Sequence, residues 1–95
     1  MAAYVFAEIE ITNPEGYKAY TSEVPATITQ YGGRFLVRGG AAETLEGDWP
    51  QRRRVIIEFD SREQALAWWN SPEYAKPRAL RRANSNGRLL LMEGV

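Results

Sequence analysis

Between Ala3 and Ile11 the residues alternate, with Ala3, Val5, Ala7, Ile9 and Ile11 on one side and Tyr4, Phe6, Glu8 and Glu10 on the other. A period of two is that of a strand. One face is wholly apolar and calls for helices over it, whereas the other mixes aromatics with acids and suits partial cover. The period then lengthens. Tyr17, Tyr20, Val24, Ile28 and Tyr31 recur at three- and four-residue spacing, which predicts one face of a helix reaching about Tyr31. Its start is marked by Asn13, a residue type that caps free N–H groups, followed by Pro14, which loses no hydrogen bond at the first helical position. Pro25 removes one backbone bond inside that helix at a cost of ~3 kcal/mol, so a kink or break is expected between Glu23 and Ala26.

Gly32 and Gly33 end the helix, and Arg34 to Arg38 reads as a second strand. Gly39-Gly40 predicts a bulge or tight bend, after which Ala41 to Leu45 resumes as an extended arm. The turn cluster from Glu46 to Pro50 leads into a third strand, Arg53 to Phe59. Ser61 and Gln64 form a capping-box pair for a helix that carries Ala65, Trp68 and Trp69 and stops near Asn70, ahead of Pro72. Ser71-Pro72-Glu73 restarts a helical segment that Pro77 interrupts, leaving residues 72–83 as one helix or two. Asn84 to Gly87 reads as a loop, and Arg88 to Met92 as the last strand.

Strand, helix, strand, strand, helix, strand in 95 residues fits two interleaved βαβ units. The expected fold is α+β and ferredoxin-like: one domain over residues 1–95, a four-stranded antiparallel sheet, and helices on one face. No element remains to cover the other face, and a chain this short has a thin core. A homodimer paired through the free face supplies the missing cover, giving a dimeric α/β barrel.

Composition narrows the chemistry. Twelve Lys plus Arg balance twelve Asp plus Glu, so no net field favours nucleic acid or an anionic membrane. Neither is expected as a partner. Glu8 and Glu10 on the free face further disfavour RNA. With no Cys and no His, thiol nucleophiles, imidazole bases and the commonest metal ligands are all missing. No metal and no cofactor are expected, and the N-terminus carries no signal-like run, which suggests a cytoplasmic protein.

Tyr17 and Tyr20, Gly32-Gly33, Arg38-Gly39-Gly40, Glu43 with Leu45-Glu46-Gly47, Glu58-Phe59, Trp68-Trp69, Ser71-Pro72-Glu73-Tyr74 and Arg81-Arg82 together resemble the DUF1330 family, a domain of unknown function, along nearly the whole chain. The resemblance implies kinship with the dimeric α/β-barrel group, which includes small monooxygenases and dehalogenating and isomerising enzymes. Several of those use a histidine that this chain lacks. The resemblance therefore implies fold and pairing, and leaves open whether the chain is an enzyme.

Arg38 is the first candidate for ligand contact, because it ends a strand before two glycines whose N–H groups could join its guanidinium in holding an anion. The competing reading pairs it with Glu43, Glu58 or Glu8 across the sheet. Glu43 and Glu58 would serve as general bases only if burial raised their pKa values. Tyr20 and Tyr74 are expected at the margin of a cleft and Trp69 in the core, all three being candidate ligand contacts with Arg38, Gly39 and Glu43. Ser71 is better explained as a helix cap than as a nucleophile. Arg52 to Arg54 and Arg81-Arg82 read as a solvated strand end and a solvated helix face, and Trp49 as an exposed indole suited to a protein partner. Three functions follow as alternatives: a homodimeric domain binding a small anionic or aromatic ligand, a cofactor-independent monooxygenase- or isomerase-like enzyme in which Arg38 binds the anion and Glu43 or Tyr74 moves a proton, and an interaction module using Trp49 and the arginine run.

Overall fold

A computed structural model describes residues 1–95. The elements are β1 (Ala3–Ile11), α1 (Pro14–Gln30), β2 (Arg34–Arg38), β3 (Arg53–Phe59), α2 (Arg62–Trp69), α3 (Pro72–Asn84) and β4 (Ser85–Glu93). The four strands form one antiparallel sheet in the order β2-β3-β1-β4, the ferredoxin-like arrangement.

The alternation in β1 sets the two faces. Val5 lies beside Ile57 and Leu91, and Ala7 beside Val55 and Leu89, on the side that the helices cover. Trp68 packs against Tyr74 at 4.1 Å between ring centroids and against Phe59 at 5.6 Å. Trp68 Nε1–H donates to Thr27 Oγ1 at 3.0 Å, so its burial leaves no unpaired donor. On the opposite, open face Val37, Ile56, Phe6 and Leu90 stand in one row across all four strands. Charged rows flank it: Arg34 with Glu58, and Arg54 with Glu8 and Arg88.

Several local expectations need correction. Helix α1 runs unbroken through Pro25. The loss of ~3 kcal/mol at a proline is offset by neighbours such as Val24 and Ile28, whose burial contributes about 1.5–3 kcal/mol each. Asn13 does not cap α1 with its side chain; its Nδ2 donates instead to Asn84 Oδ1 at 3.0 Å. Pro77 likewise does not divide α3, where it is buried on the same face as Tyr74, Arg81 and Asn84. The loop expected at Asn84 to Gly87 is absent, and β4 begins directly at Ser85. Asn84 makes that junction. Its carbonyl accepts from Thr12 and Asn13 N–H, and its side chain donates to Leu80 O at 2.8 Å. Ser61 caps α2 through a 3.1 Å bond from Gln64 N–H, and Ser71 caps α3 through one from Tyr74 N–H, also 3.1 Å.

The strand irregularity lies at Leu36, between Phe35 and Val37, rather than at Gly39-Gly40. Gly39, at φ +70°, ends the ladder by donating its N–H to Arg54 O at 2.9 Å. Residues 41–45 then continue as an exposed segment without strand pairing.

Candidate functional site

Between α1 and the sheet lies a cavity of 370 Å³ whose walls include Tyr17, Tyr20, Pro25 and Phe35, together with three arginines, Arg38, Arg53 and Arg81. No Asp, Glu, Lys or His lines it. Each arginine arrives by a different local device.

Arg38 owes its position to the bulge. In an unbroken β2 it would share a face with Leu36 and point away from the helices. One extra residue reverses the parity, so that Val37 pairs with Ile56 on the open side and Arg38 with Val55 on the helix side. Its guanidinium sits 4.9 Å from the Phe35 ring centroid, and no ion pair reaches it. The competing partners are engaged elsewhere: Glu58 with Arg34, and Glu8 with Arg88 and Arg54.

Arg53 opposes Ile9 on the helix side, 5.9 Å from the Tyr17 ring, and its buried Nε has no hydrogen-bond partner. Gly39 packs directly on this guanidinium, and a Cβ there would overlap Arg53 Nη1. The contribution of Gly39 is thus the room it leaves, its N–H being already bound.

Arg81 is the most deeply placed. Only 4 % of it is exposed, against an exposed Arg38 and a half-buried Arg53. No carboxylate pairs with it; its one side-chain contact of hydrogen-bonding kind is from Nε to Tyr74 Oη at 3.5 Å. Tyr74 Oη shares a 3.1 Å hydrogen bond with Tyr20 Oη, completing a chain from the guanidinium to α1. Burial pushes the Tyr20 phenol well above its ordinary 10.0, and burial also raises Tyr17 while Arg53 and Arg81 pull it the other way. Both tyrosines are therefore neutral at physiological pH.

The expected site residues divide accordingly. Arg38 and Tyr20 line the cavity, and Tyr74 supports it from behind as a fully buried residue rather than a cleft margin. Trp69 is partly exposed and lines a separate groove, while its neighbour Trp68 fills the core. Glu43 stands exposed outside both spaces, so it is not brought to Arg38. The arginine run is split by strand alternation: Arg53 faces the cavity, whereas Arg54 reaches Glu8 on the open face and Arg52 lies 3.8 Å from Glu10. Trp49 has local partners, its Nε1–H donating to Glu46 O at 2.9 Å and its ring lying 5.4 Å from the Arg54 guanidinium. Arg53 and Arg81, expected to be solvated, are the residues that sequence reasoning missed.

A family profile described as "Domain of unknown function (DUF1330)" matches residues 2–95. The chain belongs to that family. Solved structures agree on the fold. A protein of unknown function from Rhodopseudomonas palustris, RPA0582, superposes with a TM-score of 0.79 at 19 % identity, over 99 % of this chain and 82 % of that one. SnoaB, a cofactor-independent oxygenase from Streptomyces nogalater, gives 0.68 at 11 % identity over 99 % and 93 %. A Nitrosomonas europaea protein provisionally assigned as an antibiotic biosynthesis monooxygenase gives 0.62 at 17 % over 98 % and 90 %. No curated protein matches the sequence significantly. At these identities the DUF1330 chain shares an architecture with oxygenases, and the likeness extends to fold alone. No helix is long and apolar enough to cross a membrane.

Proposed function

We propose that this chain binds a small organic anion in the cavity beneath α1, as a homodimer paired through the open face of its sheet. The observation that carries the reading is Arg81, a residue only 4 % exposed whose guanidinium has no carboxylate partner. An uncompensated buried charge costs several kcal/mol, and a fork of donors matches a carboxylate in shape and charge. Arg53, with its unpartnered buried Nε, adds a second cation in the same walls, and Arg38 stands exposed at the margin, where it draws anions inward. The aromatic and aliphatic lining accommodates the apolar body of the ligand. The pairing rests on the Val37-Ile56-Phe6-Leu90 row, flanked by charges that are already neutralised within the chain.

Titration with benzoate, followed by calorimetry, tests the reading in wild type and Arg81→Met. The expected result is binding that weakens at least tenfold in the variant, with a melting temperature no lower than wild type, because Met relieves a desolvated charge. Equal affinity in both proteins would overturn the site. A lowered melting temperature without any benzoate binding in wild type would assign Arg81 a structural role instead.

The oxygenase alternative draws on one feature, the Tyr20-Tyr74-Arg81 chain. The cavity walls offer no carboxylate base, and Tyr20, whose pKa burial raises, stays a neutral phenol at physiological pH. Chemistry here would have to start from a ligand acidic enough to enter as its own anion.

A further inference from the structure

We infer that the ligand is a carboxylate with an extended apolar chain, its head between Arg53 and Arg81 and its chain lying in a second groove beyond Arg81. The inference rests on the anion-binding reading above and adds the length and class of the ligand.

The second groove, 610 Å³, runs between α2, α3 and β4 at the edge of the sheet. Two residues belong to the walls of both spaces: Arg81 and Leu89. The deepest cation is thus a shared wall rather than the end of one pocket. Gly87 lies beside it and keeps the boundary thin. A Cβ at that position would stand 3.2 Å from Arg81 Nη1 and 2.5 Å from Ile9 Cδ1, so a side chain there would press on the guanidinium that both chambers share.

Beyond Arg81 the lining becomes that of a chain-binding surface. Leu66, Leu91 and Val5 supply aliphatic wall, and Trp69 a flat one. Arg82 is the other cation there, 6.0 Å from the Trp69 ring, and no Asp or Glu lines this groove either. The chain has twelve acidic residues, and none faces either chamber, so an anion meets no like charge along the whole path. A compact aromatic acid fills the inner cavity alone, whereas a linear acid held by its head on Arg81 has only the groove in which to shed water from its methylenes.

Calorimetric titration with benzoate, hexanoate, octanoate and decanoate, on wild type and on Leu66→Trp, tests this. In wild type, affinity should rise roughly threefold to fourfold per added methylene that the groove covers. In Leu66→Trp, which narrows the groove, benzoate affinity should stay within about twofold of wild type while the dependence on chain length flattens. Benzoate binding with no dependence on chain length in wild type, or with the same dependence in both proteins, would overturn the groove and leave the anion site standing. Failure of every acid, benzoate included, to bind would overturn both.

Discussion

On the open face of the sheet, Glu8 takes Arg88 at 2.6 Å and Arg54 at 3.5 Å, and Arg34 is held by Glu58 at 2.7 Å and Asp60 at 3.2 Å. On the helix face of the same strands, Arg38, Arg53 and Arg81 line a cavity with no carboxylate at all. The sequence supplies equal numbers of both charges, so the asymmetry is one of placement rather than composition. An arginine whose charge is cancelled within the chain stabilises or solubilises. One left uncancelled where water is scarce is poised for an anion from outside. The same residue type thus has two meanings, and burial with pairing decides between them.

The sharpest way to break the contrast is to remove what makes the helix side dry. Trp68 is fully buried and hydrogen-bonded to Thr27, so Trp68→Ala should cost about 3–5 kcal/mol of stability, read from urea unfolding. Phe6→Ala on the open side, where the ring is only half-buried, should cost roughly 1 kcal/mol at protein concentrations dilute enough to hold the monomer. Comparable losses from the two would mean that the two faces are equally packed and that no dry cavity exists to give Arg81 its character.

A second experiment makes the helix face imitate the open one. Leu89 lines both chambers alongside Arg81, so Leu89→Glu supplies the carboxylate that the cavity lacks. Benzoate affinity should then fall more than tenfold with the melting temperature nearly held, since the new charge pairs with a guanidinium already in place. Undiminished binding would show that Arg81 is not the anion's partner.

How much of this was legible in the sequence depends on the length scale of each signal. Strand alternation in residues 3–11 and helical spacing from Tyr17 to Ile28 each report a face over several turns or pairs, and both elements stand where the pattern put them. Ser61 and Ser71 cap helices as their spacing implied. The site depended on single-residue events. The bulge at Leu36 turns Arg38 toward the cavity, yet no glycine or proline marks it; the signal followed instead, Gly39-Gly40, marks only the end of the ladder. Arg81 lies next to Arg82 in a polar stretch of helix, and the neighbours that surround it, Tyr17 on α1 and Gly87 and Leu89 on β4, include some distant in sequence. Alternation did carry one clue that went unread: in the run Arg52 to Arg54, period two places Arg53 with Val55 and Ile57 on the covered face.

The apolar row of the open face offers a smaller perturbation. Leu90 is 61 % exposed in the single chain and stands at the β4 end of the row. Leu90→Lys should leave the monomer's stability within about 0.5 kcal/mol while weakening dimerisation at least tenfold, as sedimentation over a range of concentrations would show. A dimer as tight as wild type would move the interface to another surface.

The smallest effect concerns the paired arginines themselves and appears only in acid. Glu8 is held below its ordinary value of 4.5, first by the hydrogen bond from Arg88 and further by Arg54, with burial opposing them. A carboxyl whose folded pKa is depressed stabilises the fold fully above its unfolded value, and that contribution is lost as pH falls through the folded one. Stability should therefore decline below about pH 4.5, and Glu8→Gln should flatten part of that decline at the expense of stability near neutrality. Glu73, lowered chiefly by the hydrogen bond from Tyr31, contributes to the same limb, so Glu8→Gln with Glu73→Gln should flatten it further. Thermal melts from pH 3 to pH 7 distinguish the two faces once more: Glu8→Gln should alter the acid limb without changing benzoate affinity at pH 7. Were it to weaken benzoate binding as much as Arg81→Met does, the two sets of arginines would be coupled through β1 and β3, and the separation between them would not hold.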